Sequence, residues 1–103
     1  MTIFGYGRVS TAQQDTENQR LELEQAGWMF DFWYADIVSG KVQAIQRKAF
    51  AEMLGKIRTG ETLVVAKLDR LGRDAIDVLQ TVRLLSDRGI KVIIANGNTP
   101  NIL

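Results

Sequence analysis

The run TLVVAKLDRLGRD, residues 62–74, changes character halfway, and that change decides the fold. Its first part, TLVVA (62–66), is apolar without alternation, which marks a strand covered on both faces and hence a parallel sheet between layers of helices. Its second part places Lys67, Asp69, Arg70, Arg73 and Asp74 directly after the strand. Asp74 is a good N-cap for a helix running to Arg88, in which Ala75, Val78, Leu79, Val82 and Leu85 form an apolar stripe and Gly89 is the stop. Working outward, TIFGYGRV (2–9) reads as a first buried strand. Thr16 with Gln19 fits a capping box opening a helix over 16–26, closed by Gly27. WMFDFWYAD (28–36) reads as a second strand, and a second helix over 47–59 has Phe50, Met53, Leu54 and Ile57 at helical spacing. KVIIA (91–95) reads as a fourth strand, and the tail NGNTPNIL as turn chemistry. The alternation predicts one α/β domain over 1–103. Its sheet is mostly parallel and open, of about four strands in the order 2-1-3-4, with helices on both faces.

Composition narrows the chemistry. The 103 residues are 46% hydrophobic and 24% charged, as expected of a single globular domain. There is no signal peptide and no membrane-spanning run, so the expectation is a cytoplasmic protein. Cysteine and histidine are both absent, which excludes thiolate chemistry, disulfides and a Ser-His-Asp hydrolase. Net charge is only +1, but it is unevenly spread. Residues 11–37 hold six acids and one arginine, whereas residues 40–74 hold eight Lys and Arg and four acids. A basic flank of this kind suits a polyanion or is simply an uneven solvated surface.

In open α/β sheets ligands bind beyond the carboxyl ends of the strands, where strand order reverses. For the order 2-1-3-4 that place lies between strands 1 and 3, so GRVS (7–10) and KLDRLGRD (67–74) emerge together. Ser10 there is either a nucleophile or, with Gln13 at S-x-x-Q spacing, a turn cap. Arg8, Arg70 and Arg73 point at the same mouth, and Arg47 opens the second helix nearby. Guanidiniums gathered at one place call for an anion, and bidentate contacts to a phosphate would hold them together. Phosphoryl transfer needs mainly positioning and charge stabilisation, which arginines supply without a metal. The plain alternative is a solvated loop in which Asp69 and Asp74 neutralise the arginines. A different function also remains open. Gly5-x-Gly7-x-x-Ser10, with Asp31 or Asp36 as the ribose acid, would make a non-catalytic nucleotide-binding module. Neither a P-loop nor metal-ligand spacing is present.

YGRVST (6–11), Gln13-Gln14, Gln19, Asp36 with Ser39-Gly40, Arg47 and VAKLDRLGRD (65–74) together resemble the serine site-specific recombinases, the resolvase/invertase family. The resemblance runs from about residue 3 to about residue 95. It implies DNA as partner, no cofactor and no metal, and a serine that attacks a backbone phosphodiester to give a 5′-phosphoserine link before strand exchange and religation. It implies Ser10 as nucleophile, Arg8, Arg47, Arg70 and Arg73 as the phosphate arginines, and Asp69 as an active-site acid. Gln14, Gln19 and Lys67 match supporting positions, and Tyr6 a structural one. Family members assemble as dimers and tetramers through a long helix that follows this domain and precedes a DNA-binding region. Neither is legible here, so the expectation for the chain alone is a monomer inactive in recombination. The resemblance also implies a nucleoid-associated protein of a bacterium or its mobile elements.

Overall fold

Residues 62–65 form the centre of the sheet, with every side chain buried. The computed structural model describes residues 1–11, 16–95 and 101–103. The strands are β1 (Ile3–Val9), β2 (Phe32–Ile37), β3 (Thr62–Val65), β4 (Lys91–Ile94) and β5 (Asn101–Ile102), ordered β2-β1-β3-β4-β5. The helices are α1 (Thr16–Gln25), α2 (Lys48–Lys56) and α3 (Ala75–Asp87), with short 3-10 turns at Ala44–Gln46 and Leu68–Leu71. The first four strands are parallel in the expected 2-1-3-4 order. Among the described residues no helix is long and apolar enough to cross a membrane.

Strand alternation assigns the two faces. Phe4 and Tyr6 of β1 join Leu63, Val65, Val92 and Ile94 in the main core, under Phe50 and Met53 of α2 and Leu85 of α3. Tyr6 meets Phe50 edge-on, with ring centroids 5.0 Å apart. The other face belongs to α1 and to Phe30 and Trp33, and there the middle of β1, at Gly5 and Gly7, has no room for side chains. A Cβ on Gly5 would stand 2.5 Å from the Trp33 ring, and one on Gly7 2.8 Å from it.

Five details depart from the sequence reading. The sheet has a fifth strand: Asn101–Ile102 runs antiparallel along β4, with Ile93 opposite Ile102. Two residues are too few to carry a periodicity, and the edge of β4 supplies their ladder. The second strand begins at Phe32 rather than Trp28. The Trp28 amide donates to Leu23 and that of Gly27 to Glu24, closing α1 in a Schellman motif with Gly27 at φ 105°. Only after Asp31, whose amide reaches Ile3 and whose carboxylate accepts the Ile3 amide at 2.7 Å, can pairing start. Helix α2 stops at Lys56, because Ile57 turns extended while its side chain stays buried. The stripe on α3 is narrower than expected: Val78, Val82 and Leu85 pack inward, whereas Ala75 is exposed and Leu79 is 65% exposed. Leu79 lines an apolar groove of about 630 Å³ with Leu68, Ala75 and Leu103. Gln19 does not cap α1, and its actual role belongs to the site.

Candidate active site

Strand β1 outruns β3. Their pairing ends at Tyr6 opposite Val65, so the Arg8 amide and carbonyl lie beyond the end of β3. Gln19 of α1 takes their place. Its amide nitrogen donates to the Arg8 carbonyl at 2.9 Å, and its oxygen accepts the Arg8 N–H at 3.3 Å. Burying these peptide groups unpaired would cost about 1–3 kcal/mol each, so Gln19 fixes the end of the strand that carries Arg8. Ser10 follows directly and is exposed. The Arg8 guanidinium donates to the Val38 carbonyl at 3.0 Å and lies 3.4 Å from where a Gly40 Cβ would stand.

Arg47 occupies the N-cap position of α2 yet makes no side-chain cap. Asp36, at the end of β2, caps that helix from outside. Its carboxylate accepts the Ala49 amide at 2.8 Å, the Phe50 amide at 3.0 Å and the Tyr6 hydroxyl at 2.8 Å. Burial pushes the Tyr6 hydroxyl well above its ordinary pKa, with Asp36 adding to the shift, so Tyr6 stays a proton donor. Arg47 can then turn inward. It is 1% exposed, donating from Nε to the Val42 carbonyl at 3.1 Å and from Nη1 to the Arg70 carbonyl at 2.7 Å.

Arg70 lies in the 3-10 turn that follows β3, and Asp69 holds its Nη1 at 2.8 Å. Arg8, Arg47 and Arg70 thus converge at the carboxyl ends of β1 and β3. Burial holds the Arg8 pKa below its ordinary value, and the positive charges of Arg70 and Arg47 push it further down. Each of the three keeps one buried nitrogen without a partner among the described residues: Arg8 Nε, Arg47 Nη2 and Arg70 Nε. Like charges with unsatisfied N–H donors repel one another, and an anion beside them would relieve both costs.

The remaining candidates are less central. Arg73 is about half exposed and turned towards Asp74 at 3.7 Å, so the structure does not bring it into the cluster. Lys67 is exposed at the entrance to the turn. Gln14, like Gln13, lies outside the described residues. Asp31 and Asp36, the candidate ribose acids, are both engaged by backbone amides, which removes the acid that the nucleotide-binding reading requires. Among the described residues no group of three or more Asp or Glu could hold a metal.

One organising residue was missed in the sequence. Asp77, 5% exposed in the first turn of α3, accepts the amides of Ala44 at 3.1 Å and Arg73 at 2.8 Å. Its signal was the D-x-x-D spacing from Asp74, whose carboxylate caps α3 through the Asp77 amide at 2.8 Å. Gly72 makes this packing possible, since a Cβ there would lie 2.6 Å from the Val78 amide nitrogen and 2.9 Å from Asp77 Oδ2. Both neighbours belong to the cap of α3 and cannot step aside. Gly72→Ala is therefore expected to destabilise the fold by about 3 kcal/mol. Urea unfolding checks this, and an unchanged midpoint would show that the loop has slack.

A family model described as the resolvase N-terminal domain matches residues 3–102. The chain belongs to the resolvase N-terminal domain family. It is 44% identical over 92 residues to the transposon Tn2501 resolvase of Escherichia coli, covering 87% of this chain and 47% of that protein. It is 43% identical over 88 residues to a DNA-invertase of Escherichia phage P1, covering 85% and 45%. The chain thus spans about half the length of these curated relatives. Among solved structures, it resembles a serine recombinase from Sulfolobus solfataricus with a TM-score of 0.72 and 28% identity, covering 94% of this chain and 71% of that one. The sequence resemblance, and the α/β architecture expected from the alternation of strands and helices, are both borne out.

Proposed function

We propose that this chain is the catalytic part of a DNA site-specific recombinase, with Ser10 as nucleophile. Support comes above all from the three unpartnered guanidinium nitrogens of Arg8, Arg47 and Arg70, which lie at the end of the sheet from which Ser10 also emerges. A DNA phosphodiester offers non-bridging oxygens to these donors. The Ser10 oxygen attacks phosphorus and loses its proton. The bond from phosphorus to the 3′-oxygen breaks, and that oxygen leaves as a hydroxyl after taking up a proton. The 5′-phosphate remains on Ser10, and the reverse step reseals a strand. The arginines stabilise the extra negative charge of the transition state, and Asp69 orients Arg70. Recombination of two duplexes breaks four strands, so it needs four copies of Ser10. The 103 residues are expected to sediment as a monomer and, with one Ser10 per particle, to be inactive in recombination; ultracentrifugation at micromolar concentration tests the first part, and a concentration-independent dimer would contradict it.

Because the charge stabilisation comes from guanidiniums, cleavage is expected to proceed in excess EDTA. The assay uses a version of the chain extended to the length of its resolvase relatives and bound beforehand to its site. Loss of single-turnover cleavage in EDTA, restored by magnesium, would contradict the scheme.

A further inference from the structure

Asp77 reaches two chain segments at once. Its Oδ2 accepts the Ala44 amide, which opens the 3-10 turn leading to Arg47, and the Arg73 amide, which closes the loop carrying Arg70. The same segments meet again where Arg47 Nη1 donates to the Arg70 carbonyl at 2.7 Å. The two arginine-bearing segments are thus joined by a buried carboxylate at one point and a buried guanidinium at another. The carboxylate is itself fixed. Asp74 holds the Asp77 amide at 2.8 Å, whereas the Thr81 hydroxyl donates only to the Asp77 backbone carbonyl, apart from the carboxylate. One carboxylate oxygen accepting from two segments couples their positions, so moving either one strains the other's hydrogen bond.

We infer that Asp77 is a positioning residue: through Ala44 and Arg73 it sets the spacing of the Arg47 and Arg70 guanidiniums, and with it the affinity of the arginine cluster for a phosphate group. The inference rests on the phosphate-handling role proposed for that cluster. It also makes a prediction whose sign is informative. A carboxylate acting only as a nearby negative charge weakens anion binding, so neutralising it would tighten phosphate. A carboxylate that holds the guanidiniums in place has the opposite effect, and its loss loosens phosphate.

The test titrates inorganic phosphate into the 103-residue chain and follows the ¹⁵N Nε–Hε signals of Arg47 and Arg70. Asp77→Asn keeps an acceptor oxygen and the side-chain shape but removes the charge. It is expected to weaken phosphate binding roughly tenfold, and Asp77→Ala to weaken it further, as loss of charge-assisted hydrogen bonds implies. Thr81→Val is the control: it removes a neighbouring hydrogen bond in the same helix, lowers the melting temperature and leaves phosphate affinity unchanged. Unchanged or tighter binding in both Asp77 variants would overturn the inference. So would equal weakening in Thr81→Val, since that would reduce the effect to stability. If the unaltered chain shows no saturable response to phosphate, the reading of the cluster fails, and the guanidinium signals alone judge Asp77. The Arg47 Nε–Hε proton, buried on the Val42 carbonyl, is then expected to exchange slowly in the unaltered chain and in Thr81→Val but not in Asp77→Ala, and slow exchange in Asp77→Ala would overturn the inference. Should Asp77→Ala not fold, Asp77→Asn decides by the same two criteria.

Discussion

Replacing Ser10 with alanine is expected to abolish the covalent protein–DNA adduct and all strand cleavage, while site binding and the melting temperature stay near those of the unaltered protein. Ser10 lies exposed just past the end of β1, so removing its hydroxyl opens no cavity in the core. The neighbouring Arg8 remains anchored through the Gln19 amide and the Val38 carbonyl, neither of which involves the serine side chain. The arginine cluster therefore survives without the proposed nucleophile. A phosphodiester can still dock, but no group remains to form the bond to phosphorus. Denaturing electrophoresis of the extended protein on a recombination-site duplex reads the result directly. Recovery of a covalent adduct with the alanine variant would move the nucleophile elsewhere in the chain.

The parts of the site legible in the sequence are those that backbone topology alone brings together. The apolar run at 62–65 indicated a buried parallel strand. Once its neighbour was β1, the residues after the two strands had to share one end of the sheet. Arg8 and Arg70 followed from that, and Arg47 from the start of the next helix. The groups that hold these arginines were less legible, because they are side chains reaching distant backbone. Asp36 caps α2 across 13 and 14 residues, and Asp77 reaches Ala44 across 33. No local pattern announces such contacts. Gln19 shows how a local pattern misleads: its spacing from Thr16 satisfies a capping box, but the unpaired end of β1 is the stronger claim on its amide. Arg73 shows the limit of topology. It shares the loop with Arg70, yet its guanidinium turns to Asp74, while its backbone amide serves Asp77.

Arg70→Lys tests whether the cluster acts by geometry or by charge alone. The variant is expected to lower single-turnover cleavage roughly a hundredfold, equivalent to about 3 kcal/mol of lost transition-state stabilisation. The guanidinium divides its donors. Nη1 is held by Asp69 at 2.8 Å, and the buried Nε is left without a partner among the described residues. On the proposed reading, one arm fixes the orientation in which the other meets a phosphate oxygen. An ammonium has the charge but not the rigid fork, so a lysine that pairs with Asp69 draws away from the phosphate, and one that reaches the phosphate releases Asp69. Stability separates this from damage to the fold. Arg47 binds the carbonyl of residue 70 rather than its side chain, so that contact survives the substitution. The melting temperature is accordingly expected to move little. A variant that cleaves nearly as fast as the unaltered protein would show that Arg70 contributes only bulk positive charge. One that loses stability along with rate would show that the Asp69 pair holds the loop rather than aims the arginine.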